Sequence, residues 1–299
     1  MRLNKLSVTA VALLARSSYA WSVANTNRRD WFNNLAGTVA LASSGVLLPP
    51  LPANAVYNDP RTGTSLPEIG EISTAIPKDW NGVENPLQDD DDKSLLSRLD
   101  KAPDSLFYTD PRFVEHVDEN AVKLMTDFIS KRAIQDGDDS VLDLCSSWMS
   151  HLGSSQQQLT RVAGLGMNEK ELSSNPALTD WTVTDLNATP KLPYEDSSFS
   201  VVLCQLSIDY LTRPLEVLKE VSRVLKPGGR VYILFSNRLF LSKAVALWTG
   251  ADDIDHAYTV GCYLHFCGGF KDIAAEDLST RKGKKIAGDP LYVAFGTKA

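Results

Sequence analysis

A chain of 299 residues with 43% hydrophobic content is long enough to bury one large core or two small ones once targeting and linker segments are subtracted. Its 30 Lys and Arg against 37 Asp and Glu give a net charge of −7, and the basic residues are scattered without forming a stripe, which argues against nucleic-acid binding. Cys145, Cys204, Cys262 and Cys267 sit in apolar contexts without CxxC spacing, so neither a zinc site nor a thioredoxin-type pair is indicated and no metal is assigned.

From the N-terminus, Arg2 and Lys5, the apolar run LSVTAVALLA and the small-residue end RSSYA are the three zones of a secretory signal over residues 1–20. Residues 21–55 have Asp30 as their only acid and carry a second apolar run ending at Ala53 and Ala55. Trp21 directly after the SYA site resembles the bipartite plastid presequences of algae with complex plastids. Arg28 and Arg29 ahead of WFNNLAGTVALASSGVLL resemble a twin-arginine signal for the thylakoid lumen. The resemblance implies a plastid protein, lumenal or alternatively stromal. Leu35–Leu48 is only about 14 weakly apolar residues, a poor span, so no stable membrane insertion is expected after processing.

Residues 56–103, rich in Pro, Gly, Asn and Asp and without periodicity, read as a linker or partly ordered lead-in. The run DDDDK at 89–93 lacks the glycine and glutamate of a calcium loop and reads as a solvated charge run.

From Asp104 the pattern changes. DENAVKLMTDFISKRA places Val122, Met125, Phe128 and Ile129 at helical spacing. SVLDLC, RVAGLGM, WTVTDL, SVVLCQL and RVYILF are short β-branched runs separated by helix-length segments, the signature of parallel strands joined by crossovers. RPLEVLKEVSRVLKPGG is the clearest helix, with Leu215, Leu218, Val221 and Leu225 on one face, and FKDIAAEDL and DPLYVAFGTK add two strands. The expected fold over 104–299 is α/β: a doubly wound, mostly parallel, seven-stranded Rossmann-like sheet with helices on both faces. Its ligand is expected in the loops after Leu144, Leu165, Thr184 and Gln205.

VLDLCSSWMSHL, VAGLGMNEKEL, TDLNATPKLPYEDSSFSVVLCQLSIDYL and EVSRVLKPGGRVYILF resemble, in order and spacing, class I S-adenosylmethionine-dependent methyltransferases, and within them the plastid methyltransferase-like proteins of plants and algae that carry VLDLCSSW. The resemblance implies that Asp143, Ser146 and Ser147 hold the methionine end of S-adenosyl-L-methionine. It sets the ribose by Gly164–Glu169 and the adenine by Asp185 and Leu186. Asp143 suits the ammonium, a helix N-terminus after the loop suits the carboxylate, and Asp185 can accept from the adenine amine. The family's glycine-rich turn is replaced by Cys145, Ser146, Ser147 and Trp148, and the acid expected at the end of the second strand by Gly166, with Asn168 or Glu169 as substitutes one turn later.

Methyl transfer needs alignment, exclusion of water and, for a hydroxyl acceptor, removal of a proton. Asp209 and Tyr210 in QLSIDYL are the expected base or orienting pair, capping and core packing being their alternative roles, and His265 and His256 are weaker candidates. His151 is placed either towards the cofactor cleft or in solvent. Cys262 and Cys267, read on a period-2 strand, would face opposite ways, against a metal site with His265 and against a disulfide. QLSIDYL lacks the Asn/Asp-Pro-Pro-aromatic element typical of amino-group methylation, which favours a small-molecule acceptor methylated at oxygen or carbon. A degenerate fold acting as a non-catalytic binding or assembly protein is the main alternative, and a nicotinamide oxidoreductase is disfavoured by the missing GxGxxG. Oligomeric state is left open.

Overall fold

The β-branched runs pair side by side, each parallel strand returning through a crossover. The computed structural model describes residues 66–88 and 94–299, within which one unit runs from Pro67 to Ala299. The leader readings over 1–20 and 21–55 and the charge run at 89–93 lie outside the described residues. In chain order the unit has α1 (Glu71–Thr74), α2 (Asp104–Phe107), α3 (Glu119–Phe128), β1 (Ser140–Leu144), β2 (Arg161–Gly166), α4 (Glu169–Ser174), β3 (Asp180–Val183) and β4 (Phe199–Gln205). It continues with α5 (Pro214–Val224), β5 (Leu225–Phe235), α6 (Ala246–Thr249), α7 (Asp253–Phe266), β6 (Phe270–Asp277), β7 (Arg281–Lys282), β8 (Lys285–Ile286) and β9 (Tyr292–Lys298).

The seven-stranded sheet has the order β3-β2-β1-β4-β5-β9-β6, with β1 to β5 parallel and β9 inserted antiparallel between β5 and β6. This is the doubly wound α/β sheet expected from the sequence. β7 and β8 form a separate small hairpin that the sequence pattern had not indicated. The order reverses between β1 and β4, so the topological switch point opens beyond Leu144 and Gln205.

Helix α3 starts where the Asp118 carboxylate accepts from Ala121 N at 2.9 Å, and it buries Ala121, Met125 and Phe128, with Val122 half-buried. Met125, Phe128 and Ile129 cover Val141, Val162, Val201, Leu203 and Leu234 on one face of the sheet. The pleat turns Leu142, Leu144, Leu165, Val202 and Ile233 to the other face, where they are equally buried, as expected for a parallel sheet covered on both sides. In α5, with proline at its first turn, the buried stripe is Pro214, Val217, Leu218, Val221 and Val224; Leu215 is half-buried and Leu225 already opens β5.

Two expectations change. The lead-in is partly built into the domain: Ile72, Ala75 and Ile76 are buried, and the Ile76 tip occupies a notch in α7 that exists because residue 261 is glycine, since a Cβ there would collide with it. Trp80 stacks on His265 at 4.2 Å and 7°, and Arg98 pairs with Asp104 at 2.8 Å, so the boundary lies by Pro67. The strand reading of the Cys262 region is replaced by α7, whose first turn is capped by Asp252. Ten of its residues, including His256, Cys262 and Tyr263, are buried.

Candidate functional site

Asp143 ends up one residue short of the end of β1, facing the switch point, and is 1% exposed. A carboxylate in that position needs donors. It has three: Ser146 Oγ and Ser150 Oγ each donate to Oδ2 at 2.6 Å, and Gln205 Nε2 donates to Oδ1 at 2.9 Å. Burial pushes Asp143 above the usual carboxylate range, and these donors oppose the shift. Gln205 was missed as a site residue, although a polar residue closing an apolar strand beside β1 was the available signal. Ser150 was missed too, its signal being a third serine within SSWMS.

The loop after β1 keeps the backbone shape of a glycine turn without the glycines. Cys145 has φ 59 and His151 φ 50, and across the switch point Leu206 has φ 51, all in the left-handed region that costs a side-chain-bearing residue energy. No α-helix begins here; the next helical turn is the six-residue 3-10 stretch Gly153–Gln158. The expectation that a helix N-terminus receives the cofactor carboxylate is therefore corrected.

Ser147 Oγ donates to Glu171 Oε2 at 2.6 Å, and Glu171 Oε1 accepts from Arg112 N at 2.6 Å. The Asn168 side chain caps α4, accepting from Lys170 N and Glu171 N, while its amide donates to Tyr108 O and Thr109 O. At Gly166 a Cβ would run into the carbonyl oxygen of Ser146, which explains why the family's acid is missing there: the two loops are too close for any side chain. Gly164 is likewise packed on Leu178. Neither Gly164, Gly166 nor Asn168 is thus available in this arrangement as a side-chain partner for a ribose. Asp185 Oδ1 accepts from Asn187 N and Ala188 N, and Leu186 is buried beside it.

On the far side of the switch point, Asp209 and Tyr210 lie on a single 3-10 turn, Ile208–Tyr210. Tyr210 is fixed by the Phe240 N–H donating to its oxygen at 2.9 Å, and it draws the neighbouring Asp209 carboxyl down. Asp209 is 4% exposed, and its Oδ2 has no hydrogen-bond partner. Burial pushes its carboxyl up to about 7, against the pull of Tyr210. The Tyr263 hydroxyl, 1% exposed on α7, also has no hydrogen-bond partner; burial raises it, and Cys262 and Asp209 add to the shift. A buried carboxyl titrating near neutrality is suited to proton transfer. Tyr263 was not anticipated, because its stretch was not recognised as a helix.

His265 does not join this group. It sits at the C-terminal end of α7, near Gly268 and the Phe270 end of β6, which pairs with Lys298, whereas the switch point is at the opposite end of the sheet. Its partner is Trp80, so the role as a base is corrected to one of packing. His256 is buried, stacked on Trp248 at 4.0 Å, and bonded to Trp248 O at 2.9 Å. His151 does point into the site: Nδ1 lies 3.0 Å from Gln205 Oε1 and Nε2 3.1 Å from Glu115 Oε2.

Residues 147–233 match the family described as methyltransferase domain, from early in the loop after β1 through most of β5. A ubiquinone/menaquinone biosynthesis C-methyltransferase of Ruegeria sp. is 38% identical over 74 residues, covering 25% of this chain and 28% of that protein. A demethylmenaquinone methyltransferase of Halalkalibacterium halodurans is 31% identical over 117 residues, covering 36% and 47%. The aligned region thus spans less than half of these relatives. Among solved structures, the [4+2]-cyclase SpnF has a TM-score of 0.47 at 15% identity, covering 63% of this chain and 88% of that one. Phosphoethanolamine N-methyltransferase 2 of Haemonchus contortus with S-adenosyl-L-methionine has a TM-score of 0.42 at 13% identity, covering 60% and 52%. Residues 147–233 thus carry a methyltransferase-domain match, and it lies across the loops of a doubly wound seven-stranded sheet.

Proposed function

We propose that this protein transfers a methyl group from S-adenosyl-L-methionine to a small molecule, at oxygen or carbon, and that Asp143 and Asp209 divide the work across the switch point. The carrying observation is their contrast: one buried carboxylate held by three donors, the other with a free oxygen and a carboxyl pushed up to about 7.

The residues fit the cofactor at two of its three parts. Asp143 supplies a carboxylate for the ammonium, and Asp185, whose Oδ1 is committed to Asn187 N and Ala188 N, keeps Oδ2 for the adenine amine beside buried Leu186. Ser146 and Ser147 reach a ligand only by exchanging their present partners. When bound, S-adenosylmethionine supplies an electrophilic methyl on a sulfonium. Asp209 takes the proton from the acceptor, Tyr210 holds Asp209 in place, and burial excludes water from both. The Ruegeria relative is named as a C-methyltransferase, and a malonyl-[acyl-carrier protein] O-methyltransferase of Marinomonas sp. is 34% identical over 70 residues; the two names support the choice of acceptor atom.

The proposed setting is the plastid, thylakoid lumen first and stroma second, supported by the paired leader signals and Arg28–Arg29; a fluorescent fusion of residues 1–55 followed by thylakoid fractionation tests it. The proposed partners are small molecules, and the net charge of −7 supports the exclusion of nucleic acid.

The alternative, a non-catalytic module, is favoured by the internal satisfaction of Ser146, Ser147 and Asn168. Calorimetric titration with S-adenosylmethionine and S-adenosylhomocysteine decides between them. Micromolar binding that is lost in Asp143→Ala and weakened in Asp185→Ala supports the enzyme, whereas no heat at millimolar ligand from folded protein leaves the module.

A further inference from the structure

We propose that His151 is the cation that receives the methionine carboxylate of the cofactor, and that Glu115 occupies that place until the cofactor arrives. The inference deepens the cofactor reading above and rests on it.

Hydrogen-bond accounting leads to it. Gln205 Nε2 donates to Asp143 Oδ1 at 2.9 Å and to Ser150 O at 3.1 Å, so Oε1 is the acceptor end of that amide. His151 Nδ1, 3.0 Å from Oε1, must donate to it. A carboxylate accepts only, so Nε2, 3.1 Å from Glu115 Oε2, must donate as well. A hydrogen on both ring nitrogens completes the arrangement, and the imidazole is joined to Asp143 through one amide. An amino acid's head carries an ammonium and a carboxylate on one carbon, and Asp143 with His151 offers the two matching charges across the switch point.

Glu115 is placed as a displaceable substitute. The His151 side chain is 10% exposed and that of Glu115 36%, so the carboxylate faces solvent while the imidazole does not. Glu115 belongs to the stretch whose Phe113 and Val114 are exposed, with Val114 O accepting from Trp148 Nε1 in the same loop. His151 is held in the left-handed region at φ 50, a conformation that persists in a non-glycine residue where its surroundings enforce it. If the His151–Glu115 pair served only to pin residues 112–116 to the loop, ligand chemistry would not matter to it.

The test uses the full-length chain and two ligands, S-adenosylmethionine and its decarboxylated form, which keeps the sulfonium, nucleoside and ammonium and lacks only the carboxylate. With calorimetric readout, His151→Gln is expected to weaken S-adenosylmethionine by about 10- to 100-fold, as for loss of a charge-assisted hydrogen bond, and to leave the decarboxylated ligand unchanged. His151→Arg restores the carboxylate preference. Glu115→Gln, which leaves the imidazole in place, tightens S-adenosylmethionine severalfold without affecting the decarboxylated ligand. Equal weakening of both ligands by His151→Gln, or unchanged affinities in Glu115→Gln, overturns the assignment. Wild-type protein that binds neither ligand overturns the cofactor reading itself, a result separable from the other two.

Discussion

Around Asp143 the polar side chains answer one another, and around Asp209 they do not. On the β1 side, Ser146, Ser150 and Gln205 converge on one carboxylate, Ser147 and Arg112 on Glu171, and Asn168 bridges the start of α4 to residues 108 and 109. On the β4 side, an Asp209 oxygen and the Tyr263 hydroxyl are buried without partners. Such orphaned groups cost about 1–3 kcal/mol each, which a fold tolerates where the group has work to do. The comparison teaches that polar groups are satisfied by one another on the β1 side and left unsatisfied on the β4 side, which is the ground for the proposed division of work.

The largest effect expected from this contrast is at Asp209. Its folded-state carboxyl is raised above the ordinary range, so the stability it contributes is complete below about pH 4 and is lost as pH rises through about 7. Asp209→Asn mimics the protonated form. In urea melts the variant should match wild type near pH 4 and exceed it by up to about 4 kcal/mol at pH 8. Methyl transfer by the wild type should rise over the same interval, and its absence in a stable Asp209→Asn protein would sharpen the assignment as base. A constant stability difference between the two proteins would break it.

Next is Gly166. If the β1 side is rigid, Gly166→Ala should cost about 3 kcal/mol by pushing the new Cβ into the Ser146 carbonyl, and denaturant midpoints measure this directly. A neutral substitution would mean that the loop yields and that the missing acid needs another explanation. The smallest effect is at Tyr263, where Tyr263→Phe removes an unpartnered buried hydroxyl and should leave stability equal or raise it by up to about 1 kcal/mol. A loss of more than that would show the hydroxyl to be bonded and the β4 side to be as complete as the β1 side.

Much of the domain was legible from local pattern. β-branched runs such as SVLDL and SVVLCQ read as buried strands and their spacing as parallel crossovers, so Asp143 and Asp209 were expected beside the switch point. The 253–266 stretch was not legible. A helix buried on nearly every side has no polar face, so DIDHAYTVGCYLHF shows no amphipathic period, and with the helix unrecognised His265 was assigned to the wrong end and Tyr263 was overlooked. The lead-in was obscured for a different reason: Ile72, Ile76 and Trp80 are held by surfaces far along the chain, not by their neighbours in sequence.

By itself, then, the order of residues determined the doubly wound sheet, its switch point and the two carboxylates that flank it, because strand period and crossover length act over short distances. Tertiary structure alone decided that Gly166 has no room for an acid, that Gln205 and Ser150 complete the Asp143 cage, and that His151 meets Glu115 and not solvent. Those outcomes depend on how closely loops from separate crossovers approach, a distance set by the packing of the whole sheet and encoded in no single segment.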